Sequence, residues 1–236
     1  MIAAALSGGG LLPLVRLLQL SSPALPVGAY TYSQGLEWAV EAGALRTEAE
    51  VGRWIGDVLT WSVGRFEAPL AAALLAAWRA GDEAEVARLN ADFVASRETA
   101  ELRAETVQMG YSLVRLLVDL DAYAALPGWR ARLLQLDTPA FPAAWMAAAA
   151  AWSIPPEHAL AAYLWAWLEN QVMAAVKAVP LGQSAGQRLL AELGARVPAL
   201  VAVALTLPEA EWSNFTPGLA LASCRHETQY TRLFRS

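Results

Sequence analysis

Apolar residues recur along this chain at helical spacing. Val51, Trp54, Ile55, Val58 and Trp61 follow one face of a helix, and Thr47 with Glu50 three residues on gives that helix a capping-box start. Leu102, Thr106, Met109, Leu113, Leu116 and Leu120 step by four and three, a near-heptad stripe that predicts a helix packed along another. The segment from Pro155 and Pro156 through His158, Tyr163, Trp165, Trp167 and Leu168 to Lys177 is apolar nearly all round, which predicts a central helix opened by the prolines. Further helices are predicted over 11–20, from Pro69 to Gly81, after Asp82 and Glu85, over 183–193 and 197–207, and from Thr216-Pro217 onward. Prolines 127, 139 and 142 with Gly128 predict a loop with broken helical turns over 121–142. No segment sustains the alternation of a strand, and no unit repeats at a fixed period. The expectation is an all-α, single-domain bundle of about eight to ten helices, with residues 1–10 as a flexible tail.

One stretch departs from simple periodicity. Residues 18–43, LQLSSPALPVGAYTYSQGLEWAVEAG, join an apolar helix to a short second one through a loop containing Pro23, Pro26 and Gly28. The prolines fix φ and bias Ser22 and Leu25 away from the helical region, so the loop has a defined shape. Glu37 follows directly, and the expectation is an exposed carboxylate held at a reproducible angle, suited to recognition. A carboxylate that merely complements the dipole of an early helical turn is the plainer reading.

Composition adds a second theme. Hydrophobic residues make up 56% and charged residues 17%, more apolar than a typical soluble domain, and there are ten tryptophans. Part of that surplus is expected to face a partner. The apolar runs are interrupted by prolines or are too short for a membrane span. The single cysteine, Cys224, excludes an internal disulfide and fits a reducing, cytoplasmic setting. A net charge of −5 with dispersed Lys and Arg argues against nucleic acid as a main ligand.

The inventory for catalysis is thin. The only histidines are His158 and His226, and GxSxG, HExxH and GxxxxGK[ST] are all missing. Residues 181–186, LGQSAG, resemble a phosphate loop only superficially and read as a helix start. Cys224 and His226 form a C-x-H pair, a weak metal signal without further ligands, and His158 reads as a solvent-facing residue. An independent helical enzyme is disfavoured because no acid, base and metal set can be assembled. Arg97 and Glu101 are spaced to pair on a helix, in a charged segment that reads as a solvated face. Lys177 in a last helical turn has a sufficient structural reason in the helix dipole. Residues 225–236, RHETQYTRLFRS, are richer in aromatic and aliphatic residues than a disordered tail, and are expected to order on a partner.

Four segments, the 18–43 stretch, SRETAELRAE (96–105), VKAVPLGQ (176–183) and SCRHETQYTRLFRS (223–236), resemble in the same order the UreF family of urease accessory proteins. The resemblance runs over 11–236. It implies an all-helical domain over 11–224, a two-fold homodimer, and a docking tail over 225–236. It also implies a non-enzymatic role in nickel insertion: association with a UreD/UreH-type accessory protein, a UreG-type GTPase and apo-urease, with no cofactor stably bound. Glu37 and Lys177 match the positions linked to engaging or restraining the GTPase. Tyr30, Ser33 and Gln34 match a signature loop with a shaping or contact role. Arg225, His226, Glu227, Tyr230, Arg232 and Phe234 match the segment that docks on the UreD-type partner. The alternative is a true GTPase-activating protein inserting a catalytic arginine, with Arg97, Arg103 or Arg225 as donors.

Overall fold

The computed structural model describes residues 11–120 and 128–236. The tail expected over 1–10 and the first part of the proline-containing loop, 121–127, lie outside the described residues. Among the described residues there are twelve α-helices and no strand, an all-α domain as the periodicity predicts.

The core is built on small residues. Helix α8 (Phe141–Ala151) buries every residue from Pro142 to Ala149 and lies between α4 (Ala68–Ala80) and α6 (Ala100–Asp119). Its alanines let both neighbours approach closely. Gly110 of α6 lies so near the Pro139 carbonyl that a Cβ there would collide with it. Leu102, Thr106, Met109 and Leu113 of the predicted stripe are buried along this seam, while Leu120 at its end is exposed. Helix α5 (Glu83–Ala95), capped by Asp82, closes one side against α4. Among the described residues between α6 and α8, one short helix, α7 (Trp129–Leu134), forms in the predicted loop region and stacks Trp129 on Trp78.

Helix α9 (Pro156–Ala178) starts at the second proline, ends one residue after Lys177, and contacts α2 (Leu36–Glu41), α3 (Glu48–Val58), α4, α8, α10 (Gln183–Gly194) and α11 (Val197–Ala204). That is the central helix its all-round apolarity predicts. Helix α1 (Leu11–Leu20) packs on α9 through Leu17 and Leu20, leaving Leu11, Leu12, Leu14, Val15 and Leu18 exposed.

One boundary differs from expectation. Pro69 does not restart a helix: from Glu48 to Ala80 the chain is helical without interruption, with α3 (Glu48–Val58), a π-helical stretch Leu59–Glu67, and α4 in succession. Pro69 has no N–H to offer the Arg65 carbonyl four residues back, and its ring would crowd that carbonyl in an α-helix. Widening to a π-helix opens the ladder there, and the Arg65 carbonyl accepts the Ser213 N–H at 3.2 Å instead. The predicted capping box of α3 is present with both of its hydrogen bonds. Among the described residues no helix is long and apolar enough to cross a membrane.

Candidate interaction site

The 18–43 stretch and the C-terminal segment meet. After Gly28, in the left-handed region at φ 80°, residues Ala29–Thr31 make one 3₁₀ turn. Gln34 (φ 52°) and Gly35 (φ 79°) are then both left-handed, and they turn the chain sharply into α2 (Leu36–Glu41). Glycine is required at 35 twice over. Its φ disfavours a side chain, and a Cβ there would stand 2.8 Å from the Ser223 nitrogen of α12 (Pro217–His226). Gln34 is held in its strained conformation from both ends: its amide nitrogen donates to Glu105 (2.8 Å), and its oxygen accepts the Trp167 indole N–H (2.9 Å).

Against this turn lies the C-terminal segment. The Arg235 N–H donates to the Thr31 carbonyl at 2.8 Å, and the Ser236 carbonyl accepts both the N–H and the hydroxyl of Ser33 at 2.7 and 2.6 Å. Ser33 is fully buried. The chain terminus is thus paired to the turn by backbone bonds, with Phe234 and Ser236 buried and Tyr230 and Leu233 exposed.

Glu37 is the anchor, and its environment corrects the expected exposure: only 7% of it is accessible. Its carboxylate accepts the N–H groups of Leu233 (2.6 Å) and Phe234 (3.0 Å), and the His226 imidazole Nε2 stands 3.3 Å away. Those backbone donors supply what a solvent-facing carboxylate would take from water. The segment it holds lies nearly two hundred residues away in sequence, so nothing in the local pattern marks Glu37 as a buried acceptor.

The charged run of α6 is likewise not a solvated face. His226, fully buried, places Nδ1 2.6 Å from Glu101, and Arg232 reaches the same carboxylate at 2.5 Å. Glu227 accepts the Ala100 N–H at 2.8 Å, a carboxylate at the positive end of the α6 dipole. Arg97 does not pair with Glu101. Thr99 caps α6, leaving Arg97 outside the helix, where the i,i+4 geometry does not exist; it pairs with Glu67 at 2.8 Å. Both partners are buried, Tyr163 donates to Glu67 at 3.2 Å, and the guanidinium lies 4.3 Å from the Phe93 ring centre. Arg103 and Arg225 are exposed.

Glu105, one turn beyond Glu101, was hidden in the same charged run. It is buried, accepting from Gln34 on one oxygen and from the Ser236 hydroxyl on the other at 2.9 Å. Burial is the main reason its pKa is pushed up to about 7. The one clue available in sequence is its i,i+4 spacing from Glu101, which sets both carboxylates on one face of α6.

Lys177 is exposed at the end of α9, its Nζ 5.9 Å from the Tyr30 ring centre and 5.8 Å from that of Phe234. Tyr30 of the turn, Lys177 and the terminal segment therefore share one neighbourhood. Behind them lies a cavity of about 370 Å³, bordered by Leu25, Tyr30, Gln34, Glu67, Arg97 and Glu105. Cys224 is exposed while His226 turns inward, and among the described residues no group of three or more His, Cys, Asp or Glu is placed to hold a metal ion. Gly182 opens α10 as a helix start, and His158 is exposed.

A model of the UreF family matches residues 45–194, well over half of the chain. This chain belongs to the UreF family. It is 82% identical over 228 residues to the urease accessory protein UreF of Azoarcus sp. (strain BH72), covering 97% of each chain. It is 63% identical to the UreF of Dechloromonas aromatica, over 95% of this chain and 98% of that one. A protein of Bordetella bronchiseptica called bifunctional urease accessory protein UreEF is 49% identical over 94% of this chain, which spans 52% of that longer protein. The family match takes in α3 to α10 and stops short of both the 28–37 turn and the C-terminal segment. The full-length UreF relatives extend over nearly the whole chain.

Proposed function

We propose that this chain is a non-catalytic, cytoplasmic chaperone of nickel insertion. It works as a homodimer that bridges a UreD/UreH-type accessory protein and a UreG-type GTPase, and it modulates the GTPase cycle while nickel is delivered to apo-urease. In this reading nickel is cargo of the assembly and is not stably held by this chain.

The observation that carries the proposal is the convergence at Glu37. A buried carboxylate clamps the terminal segment over the 31–37 turn, bringing Lys177 beside Tyr30 and Phe234 and leaving Tyr30, Tyr230 and Leu233 exposed. Exposed aromatic and aliphatic groups on a backbone fixed from beneath are the kind of surface that anchors a partner. Membership in a family of urease accessory proteins supports the process, and the relative named UreEF supports action alongside other accessory proteins. Glu37 acts in this proposal through the segment it holds, and Lys177 by direct contact.

The competing reading is a GTPase-activating protein. Arg97 is a poor candidate for an inserted finger because it is buried against Glu67; Arg103 and Arg225 are exposed. Two experiments decide. Removing residues 229–236 is expected to abolish capture of the UreD-type protein with helical content preserved, and undiminished capture overturns the docking role. Single-turnover GTP hydrolysis by the GTPase is expected to change modestly on adding this chain. An acceleration of about 10³-fold or more, lost in Arg103→Ala or Arg225→Ala, replaces the chaperone reading with the activating one.

A further inference from the structure

The cavity of about 370 Å³ beside the 18–43 stretch falls in the range of roughly 300–1,000 Å³ that small-molecule sites occupy. Its rim carries exposed residues, Pro23, Tyr30 and Met173, and its inner wall carries buried ones, Phe93, Leu102 and Trp145. The proline-containing loop forms one lip. Within it the Leu25 N–H donates to the Ser22 carbonyl at 2.9 Å and the Val27 N–H to the Leu25 carbonyl at 2.8 Å, which fixes both apolar side chains where they border the cavity.

The polar groups around this space satisfy one another, with one exception. Glu67 accepts from Arg97 and Tyr163, and Glu105 accepts from Gln34 and Ser236. The Gln34 oxygen takes the Trp167 N–H, the Thr106 hydroxyl oxygen accepts the Phe141 N–H at 3.0 Å, and Asn170 donates to the Tyr32 carbonyl at 3.2 Å. Trp145 is the exception. Its side chain is 1% exposed, and its indole N–H has no hydrogen-bond partner among the described residues. A buried donor without an acceptor is costly, so a molecule that brings an acceptor to it gains an advantage over one that does not. The surroundings of the indole are aromatic: Phe141 and Tyr163 stand edge-on to it with ring centres at 5.7 and 5.6 Å, and both border the cavity. The charges on the border disfavour an anion. Glu67, Glu105 and Glu169 are three carboxylates against one guanidinium, Arg97, which is already paired with Glu67.

We propose that this cavity is a binding site for a small neutral molecule, aromatic in body, whose carbonyl-type oxygen accepts the Trp145 indole N–H. The apolar walls and the Phe141–Trp145–Tyr163 cluster hold the ring, the indole N–H sets its direction, and the carboxylates exclude acids. The site belongs to the isolated chain and stands or falls separately from the partners proposed above.

Nuclear magnetic resonance on the full chain, labelled with ¹⁵N at tryptophan, tests the site. The Trp145 indole N–H is identified by its proximity to Phe141 and Tyr163 and followed during titration with acetophenone, with ethylbenzene as its hydrocarbon counterpart, with 1-phenylethylamine and with benzoate. Acetophenone is expected to move the Trp145 indole proton downfield and to bind about three- to tenfold more tightly than ethylbenzene, the increment of one hydrogen bond. The amine is expected to bind more weakly than acetophenone, and benzoate not at all. In Trp145→Phe the affinities for acetophenone and ethylbenzene are expected to converge. The comparison among probes is made on the unmodified chain, so it decides even where the variant fails to fold. No response at Trp145 to millimolar acetophenone overturns the proposal, as does equal affinity for acetophenone and ethylbenzene, which makes the space a merely apolar one. Tighter binding of the amine overturns it by assigning recognition to the carboxylates, binding of benzoate overturns the exclusion of acids, and an undiminished preference for acetophenone in Trp145→Phe removes the indole from the site.

Discussion

Two layers of this molecule are held together by opposite means. The layer formed by α4, α6 and α8 is packed through alanine, leucine and glycine, with helices drawn close enough that Gly110 tolerates no side chain. The layer formed by the 28–37 turn, α12 and the terminal segment is held by polar pairing: Glu37 to two backbone N–H groups, Glu101 to His226 and Arg232, Ser33 to Ser236. The first depends on area removed from water, an undirected term that survives changes of pH. The second depends on directed bonds to titratable groups and follows their protonation. One layer is a foundation and the other is adjustable.

That contrast is open to attack by substitution. The largest effect is expected at Arg97, whose ion pair with Glu67 borders the packed layer. Arg97→Met leaves a buried carboxylate without its partner and is expected to reduce unfolding free energy by about 3–5 kcal/mol in urea titration. The terminal segment should keep its protection below the new unfolding limit. Gly35→Ala comes next. A left-handed backbone and a Cβ against the Ser223 nitrogen are expected to push α12 off α2 at a cost of about 2–3 kcal/mol, with amide protection lost in α12 and the terminal segment before the bundle. Simultaneous loss across the bundle would show that the two layers are one cooperative unit. The smallest effect belongs to Lys177→Ala. An exposed ammonium near two rings contributes about 0.5 kcal/mol, so the melting temperature should hardly move, and any large loss of GTPase association is then a loss of contact.

The same division explains what could be read from the sequence. Features decided within one or two turns of helix were legible: the Thr47–Glu50 box, the start of α9 at Pro156, Lys177 in its last turn, and the buried stripe of α6. Polar pairings across the fold were not. Glu37 reads as an exposed recognition charge because its partners, Leu233 and Phe234, are far away in the chain and donate through backbone atoms common to every residue. Arg97 and Glu101 satisfy a spacing rule for helices, but Thr99 caps the helix between them. The aromatic and aliphatic content of the terminal segment reads as that of an element that orders on a partner, whereas in the structure it orders on the chain's own 31–37 turn, for which the sequence carries no comparable signal. Pro69 reads as the start of a new helix, whereas the chain carries one continuous helical rod past it by widening the turns before it.

That widened stretch has a geometric consequence. Each residue of an α-helix advances the side-chain direction by about 100°, and a π-helix advances it less, so the faces before and after Leu59–Glu67 are out of phase on one continuous rod. Val51 and Ile55 are buried on the α3 side, toward α10 and α9; Leu70 and Leu74 are buried on the α4 side, toward α8. Within the widened turns Leu59, Ser62, Val63, Gly64 and Glu67 are buried. The angular offset is what brings a carboxylate, Glu67, to the interior at the point where Arg97 arrives. The rod acts as a crankshaft: one axis serves two packing directions, and a charge sits at the throw between them.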